Sequence, residues 1–283
     1  MMTTSPLATP TPRRRVLVSL PPTGSPHDVI EAGRTVSRAL AAALHGVLVW
    51  PTTISPGEVP RLLRVDPSVL EGMVIDVDVG DPADRLQAMA SAQPIAFLVL
   101  TADEHGRDAC GIGDIAARTL AAVSAGAIIL RPGATLGRLQ RILVPLDGTP
   151  STAAALEPAG ELAKRAGAAL DIVLIEDAAK PPPTEPGAMA PPQYVDQPQH
   201  EWPAFSAEFL QRFLGGIAHC PPGVPTRFFL GAGHPSDEIL RFAHQLDTDL
   251  ITLVWHGGCS AEHGGCFRDV IRGTRRPVLV LRR

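Results

Sequence analysis

The stretch Gly233–Trp255, GHPSDEILRFAHQLDTDLITLVW, decides the fold, because Gly80–Leu100, GDPADRLQAMASAQPIAFLVL, runs through the same series earlier in the chain. Each opens on Gly-X-Pro, continues as a helical pattern and closes on an apolar run of strand length. The parallel extends further. His105-Gly106 and Gly113 follow the first stretch, and His256-Gly257 and Gly264 follow the second at the same spacing. A further helical pattern and a last apolar run, Ala127–Leu130 or Pro277–Leu281, complete each series. Matching order and spacing mean one fold built twice.

Outward from these stretches, short apolar runs alternate with helical patterns. In the first copy the strands expected are Arg15–Leu20, Gly46–Trp50, Met73–Val79, Ile95–Leu100 and Ala127–Leu130. Ser25 is a suitable cap for the first helix, with Pro26 at its first position. Pro56–Leu70 reads as a weaker helical stretch, and Pro82–Ala92 and Ile112–Val123 as helices. In the second copy the strands are Ile142–Leu146, Leu170–Ile175, Thr226–Leu230, Leu250–Trp255 and Pro277–Leu281. Helices are expected from Thr149 or Ser151 to about Gly167, over Phe205–Ala218 and over Ser236–Gln245. Runs that are apolar throughout suit strands buried on both faces. Alternation of strand and helix implies parallel pairing with right-handed crossovers. The expected fold is therefore α/β, with two similar domains, each a five-stranded parallel sheet flanked by helices. Residues 1–12 read as a disordered tail, 13–131 as the first domain, 132–140 as a linker and 141–283 as the second domain. Residues 178–203 hold eight prolines and read as an irregular surface insertion.

Composition bounds the function. Apolar residues make up 45% of the chain, enough for two cores, and aromatics only 4%, so those cores are aliphatic. The formal net charge is −4, which offers no basic field for nucleic acid. Arg13-Arg14-Arg15 reads as tail charge ahead of a strand. No apolar run nears the ~20 residues needed to cross a bilayer, and the start of the chain lacks an apolar signal core. Four cysteines in 283 residues do not suggest a disulfide scaffold. The chain reads as cytoplasmic.

Sheets of this kind take ligands at the carboxyl ends of their strands. Three loops of the second copy are expected there: Asp147-Gly148-Thr149, Gly231 through Pro235 with Gly233 at its centre, and His256 through Gly265. Glycine lets a backbone approach a phosphate, and a helix N-terminus presents N–H donors.

These residues also carry a resemblance. ILVPLDGTPSTAAALEPAGELAKRAGAALDIVLI, GHPSDEIL, LITLVWHGG and RRPVLVLRR resemble the opening and end of a universal stress protein domain. VLVSL, GDPADRL, the His-Gly step and AIILRP resemble the same family more weakly in the first copy. The resemblance implies a tandem member acting in stress response or signalling without catalysis. It implies self-pairing of the two copies through their last strands as an internal pseudo-dimer, with further homo-oligomerisation open and an unknown protein partner. Some members of the family bind ATP through a glycine loop. Against that pattern Gly257 fits the second glycine and Val254 stands at the first. Gly264 fits a later glycine, Gly265 stands where a hydroxyl residue is expected, and the loop is about three residues short. Cys266 follows. Asp147 fits the acidic residue near the nucleoside. In the first copy Pro21 takes that place and Asp114 replaces the hydroxyl residue, which would repel a phosphate.

A second constellation is His256-Gly-Gly-Cys259-Ser-Ala-Glu-His263-Gly-Gly-Cys266. Its two His and two Cys are zinc-type ligands, its Cys are candidate thiol sensors, and the bland alternative is a glycine-rich turn. Gly111-Ile-Gly113-Asp-Ile-Ala116 matches part of a dinucleotide fingerprint but lies past the fourth strand, where that motif has no role. No nucleophile–base set or carboxylate pair stands out, so no enzyme is expected. Three readings follow: a non-catalytic stress protein with degenerate nucleotide loops, an ATP sensor using the second domain, and a metal or thiol sensor.

Overall fold

The computed structural model describes residues 14–21, 25–102, 110–177, 179, 184–188, 221–257 and 264–282. The tail and the helix expected over Phe205–Ala218 lie outside them. The strands are β1 (Arg15–Ser19), β2 (Ala43–Val49), β3 (Val74–Asp78), β4 (Ile95–Thr101), β5 (Gly126–Leu130), β6 (Arg141–Leu146), β7 (Ala169–Glu176), β8 (Thr226–Ala232), β9 (Leu250–Trp255) and β10 (Val278–Arg282). The longer helices are α1 (Pro26–Leu40), α3 (Pro82–Ala92), α4 (Asp114–Ala122), α6 (Leu156–Ala166), α7 (Pro235–Gln245) and α8 (Gly265–Gly273), with short α2 (Val59–Leu63) and α5 (Pro150–Ala153).

The two expected sheets are one. The strand order is β3-β2-β1-β4-β5-β10-β9-β6-β7-β8. Neighbours are parallel except at the centre, where β10 runs antiparallel to β5 with Leu279 opposite Ile128. Each half thus keeps five parallel strands, and the halves meet edge to edge. The pairing satisfies the backbone groups of two strands that would otherwise be open edges.

Why the strand runs are apolar throughout is clear from the two faces. Val16 and Val18 of β1 enter the apolar layer beneath α1 and α6, whereas Leu17 enters the layer on the opposite face. The first layer takes Val29, Ile30 and Val36 of α1 and Leu156, Ala159 and Leu162 of α6. The second takes Leu86 of α3, Leu120 of α4, Ile239 and Phe242 of α7, and Phe267 and Val270 of α8. At the outer edge β3 is only half-buried and Val74 is exposed, as the alternation of Met73–Val79 predicts.

Several local features differ from the sequence expectation. Ser25 occupies the cap position of α1 but makes no side-chain capping bond. Pro56–Leu70 is not one weak helix. It divides into a 3-10 turn at Pro56–Glu58, then α2, then a second 3-10 turn at Pro67–Leu70. Its prolines each remove a donor, so no long ladder can form. The helix after β6 is likewise interrupted. Pro158 has no N–H to offer the Ala154 carbonyl, and the ladder restarts with Ala159 donating to Ala155.

Candidate functional site

In the second half of the chain the strand order reverses between β6 and β9. β6 connects outward to β7 and β8, whereas β9 connects inward to β10. Such a switch point opens a crevice at the carboxyl ends of the two strands. The loops leaving those ends are Asp147-Gly148-Thr149 and His256-Gly257.

The first loop is an ordered turn. Gly148 has φ +85°, a conformation that other residues reach only with strain. It brings Thr149 to the N-cap of α5, where its hydroxyl accepts from the Thr152 N–H at 3.3 Å. Asp147 Oδ1 accepts from the Thr149 N–H at 2.9 Å and from the hydroxyls of Thr149 and Thr152, each at 2.6 Å. The exposed Asp147 carboxylate is therefore held by its own loop. Beside it, Ser151 donates to both carboxylate oxygens of Glu185, at 2.8 and 2.7 Å. Two acidic groups, distant in sequence, thus sit together at the carboxyl end of β6.

The second loop begins with exposed His256 and Gly257. Gly257 has φ +89°, and a Cβ there would meet open space. α8 starts at Gly265 with Gly264 at its cap position, and no side chain caps it. First-turn N–H groups of a helix have no intrahelical acceptor. The N–H groups of Gly265 and Cys266 in the first turn are of this kind.

Not all the expected residues converge. Asp147 and Gly257 leave adjacent strands at the switch point, whereas Gly233 follows β8 at the far edge, with β7 between it and β6. Gly233 donates to the Glu176 carbonyl at 2.9 Å, which ties its loop to β7. Glu238 in the first turn of α7 faces Gly231 and Gly233 and is chelated by Arg241. Hydrogen bonding from Arg241 holds the Glu238 carboxyl below the ordinary carboxylate range.

The equivalent loops of the first half differ. Pro21 ends the strand where Asp147 stands in the second. Gly113 has φ +90° at the start of α4 and is followed by Asp114. Arg118 gathers Asp81 at 2.8 Å, Asp84 at 2.9 Å and Asp114 at 3.4 Å. His105 and Gly106 lie outside the described residues.

Of the zinc-type set, Cys259 and His263 also lie outside them. His256 is exposed, and Cys266 lies half-buried in the first turn of α8 against the second apolar layer. Among the described residues no group of three or more His, Cys, Asp or Glu is placed to hold a metal. Cys110 is buried and disulfide-bonded, a linkage that the cysteine count does not suggest. Ser151, Thr152 and Glu185 join the site beyond the residues that the motifs point to. The D-x-T-x-x-T pattern of Asp147, Thr149 and Thr152 was visible as turn and cap chemistry, but Glu185 is too distant in sequence to be found that way.

Comparison with known proteins places the chain. The model of the universal stress protein family matches residues 138–282. A universal stress protein from Archaeoglobus fulgidus DSM 4304 superposes with a TM-score of 0.62 at 16% identity, covering 95% of this chain and 96% of that one. A functionally unknown protein from Pseudomonas aeruginosa PAO1 superposes with a TM-score of 0.63 at 14% identity, covering 96% and 93%. At such identities the likeness concerns the fold. No curated protein matches the chain. Among the described residues no helix is long and apolar enough to cross a membrane. With its family model matched over the whole second half, the chain belongs to the universal stress protein family.

Proposed function

We propose that the protein is a non-catalytic, cytoplasmic stress-response component that works through protein contacts and not through bound nucleotide. One observation carries this reading: the Glu185 carboxylate is held on Ser151 at the start of α5, beside the Asp147 loop. A polyphosphate brought to the start of α5 meets the Glu185 carboxylate as a like charge, whereas Asp147 stands where the resemblance puts the acidic residue near the nucleoside. The absence of a hydroxyl at Gly265 and the shortened loop act in the same direction. The antiparallel contact of β5 and β10 supports the idea that the halves serve as an internal pseudo-dimer. Its outer surfaces are then left for a partner protein or a second copy.

A second reading, ATP sensing by the second half, is favoured by Gly257 and by the uncapped start of α8. Native mass spectrometry of gently purified protein separates the two. The first reading expects no adenine nucleotide and no zinc, with none acquired on incubation with ATP and magnesium. A stoichiometric nucleotide that is lost in Gly257→Val would replace it with the second.

A further inference from the structure

The seam between the halves is packed differently at its two ends. On the face covered by α1 and α6, the connection from β5 to β6 buries Ala134, Leu136 and Leu139 in the apolar layer. Arg138 anchors that connection at the amino end of β9, pairing with Asp247 at 2.9 Å and Asp249 at 3.1 Å. The amino end of β4 is the matching place in the other half. There Ala96 and Phe97 line a cavity of about 400 Å³.

This cavity lies between α6 and the strands at the seam, because the antiparallel contact sets the amino ends of β4 and β5 beside the carboxyl ends of β9 and β10. Its wall is apolar: Phe97, Leu162, Val254 and Leu281. Among the described residues, the charged ones along it are Arg14, Arg165, Arg282 and Glu161. Arg165 is engaged by Glu161 at 2.8 Å, so that pair is neutral as a unit. Arg282 follows Leu281 on β10 and turns to the opposite face, where it donates to the Ala121 carbonyl of α4, so among the described residues Arg14 carries the excess positive charge at the cavity. The volume is within the range of small-molecule sites, roughly 300–1,000 Å³. A pocket with apolar walls and guanidinium groups at its margin suits a ligand of matching polarity, because guanidinium binds a carboxylate through paired N–H donors. None of Asp147, Gly233, Gly257, Gly264 and Gly265 lines it.

We propose that this seam cavity binds a single-chain carboxylic acid of medium length as its anion. The apolar tail lies against Phe97, Leu162, Val254 and Leu281, and the carboxylate lies toward Arg14. The site is separate from the nucleotide loops and does not rest on either reading of them.

The test is calorimetric titration of the full chain with sodium dodecanoate below its micelle concentration. Saturable binding of one dodecanoate per chain is expected. Excess ATP is expected to leave the titration unchanged. Ala154 is an exposed residue on the cavity wall, and Ala154→Trp should abolish binding by filling the space. Arg14→Gln, confined to an exposed side chain, should weaken dodecanoate at least tenfold. It should leave the much weaker binding of the neutral alcohol, dodecanol, unchanged. The proposal is overturned if no saturable heat is seen or if both variants bind like the parent. Displacement by ATP also overturns it. So does binding only by a chain lacking residues 1–13, which would make that segment the natural occupant.

Discussion

Ser151 and Glu185 are 34 residues apart in sequence, yet the Ser151 hydroxyl meets both oxygens of the Glu185 carboxylate. The contact fastens residues 184–188, part of the proline-rich insertion, to the start of α5. Gly187 closes against Pro150 in the same place, where a Cβ would come 3.4 Å from the proline ring. A charged hydrogen bond at a partly exposed site contributes about 1 kcal/mol. Glu185→Ala should therefore raise the opening of this segment roughly fivefold. Limited proteolysis between Asp177 and Ala188 would report it as faster cleavage with little change in the global melting temperature. Unchanged cleavage would mean that the contact holds nothing in place.

The pH dependence of stability follows from depressed carboxylates. Arg276 and then Arg138 hold the Asp247 carboxyl below its ordinary value of 3.8. Arg118 does the same for Asp81, and Arg241 for Glu238. A carboxyl whose folded value is depressed adds stability above its unfolded value, and loses it as pH falls through the folded one. Stability should thus hold between pH 7 and about 5 and decline below about 4. Asp247→Asn isolates one term. Asn is the suitable replacement, since Asp247 has φ +48° and Asn tolerates that region. Urea unfolding should show the variant weaker than the parent at pH 7, with the gap closing below about pH 4. A gap that persists at pH 2 would assign the loss to geometry instead of charge.

Asp171 is fully buried, and Arg227, its cross-strand neighbour on β8, grips it at 2.7 and 2.8 Å. Removing one partner of a buried pair strands a charge, a loss of roughly 3–5 kcal/mol. The Arg227 side chain is 45% exposed, so water reaches the gap and the lower end applies. Arg227→Met should destabilise the protein by about 3 kcal/mol. The double variant Asp171→Leu/Arg227→Met should recover most of that loss, because no charge is then left behind. Denaturant midpoints of the four proteins close the cycle. A double variant no better than Arg227→Met would show that the carboxylate is not the source of the loss.

How far the chain announces this structure depends on the range of the interaction involved. The runs that form β1, β6 and β9 are legible because both sheet faces demand apolar side chains. Asp147, Gly148 and Thr149 are legible because cap and turn chemistry is local. The restart of the ladder at Ala159 follows from Pro158 alone. Within Gly126–Leu130 nothing local names Val278–Arg282 as its neighbour, and only the family resemblance implies that pairing of last strands; nothing near Ser151 names Glu185. Those contacts are set by how separate segments come together. The same holds for Gly233, whose motif is clear but whose strand lies at the sheet's edge, away from the switch point.

Gly33 shows such a long-range constraint at a single atom. It faces β1 from the middle of α1, and a Cβ there would come within 2.4 Å of Val18 Cγ2 and 3.1 Å of Leu44 Cδ1. On an exposed helix, Gly→Ala stabilises by about 1 kcal/mol. In this position the methyl must push α1 off the sheet, and overpacking of this kind costs about 1–3 kcal/mol. The second effect is larger, so Gly33→Ala should lower stability by about 1 kcal/mol net. Val18→Ala alone should also destabilise, by leaving a small void. Combined, the two should be less harmful than their sum, because the new methyl occupies the space that Val18 vacates. Chemical denaturation of the four proteins measures the coupling. A rise in stability for Gly33→Ala alone would mean that helix and sheet do not approach this closely in solution.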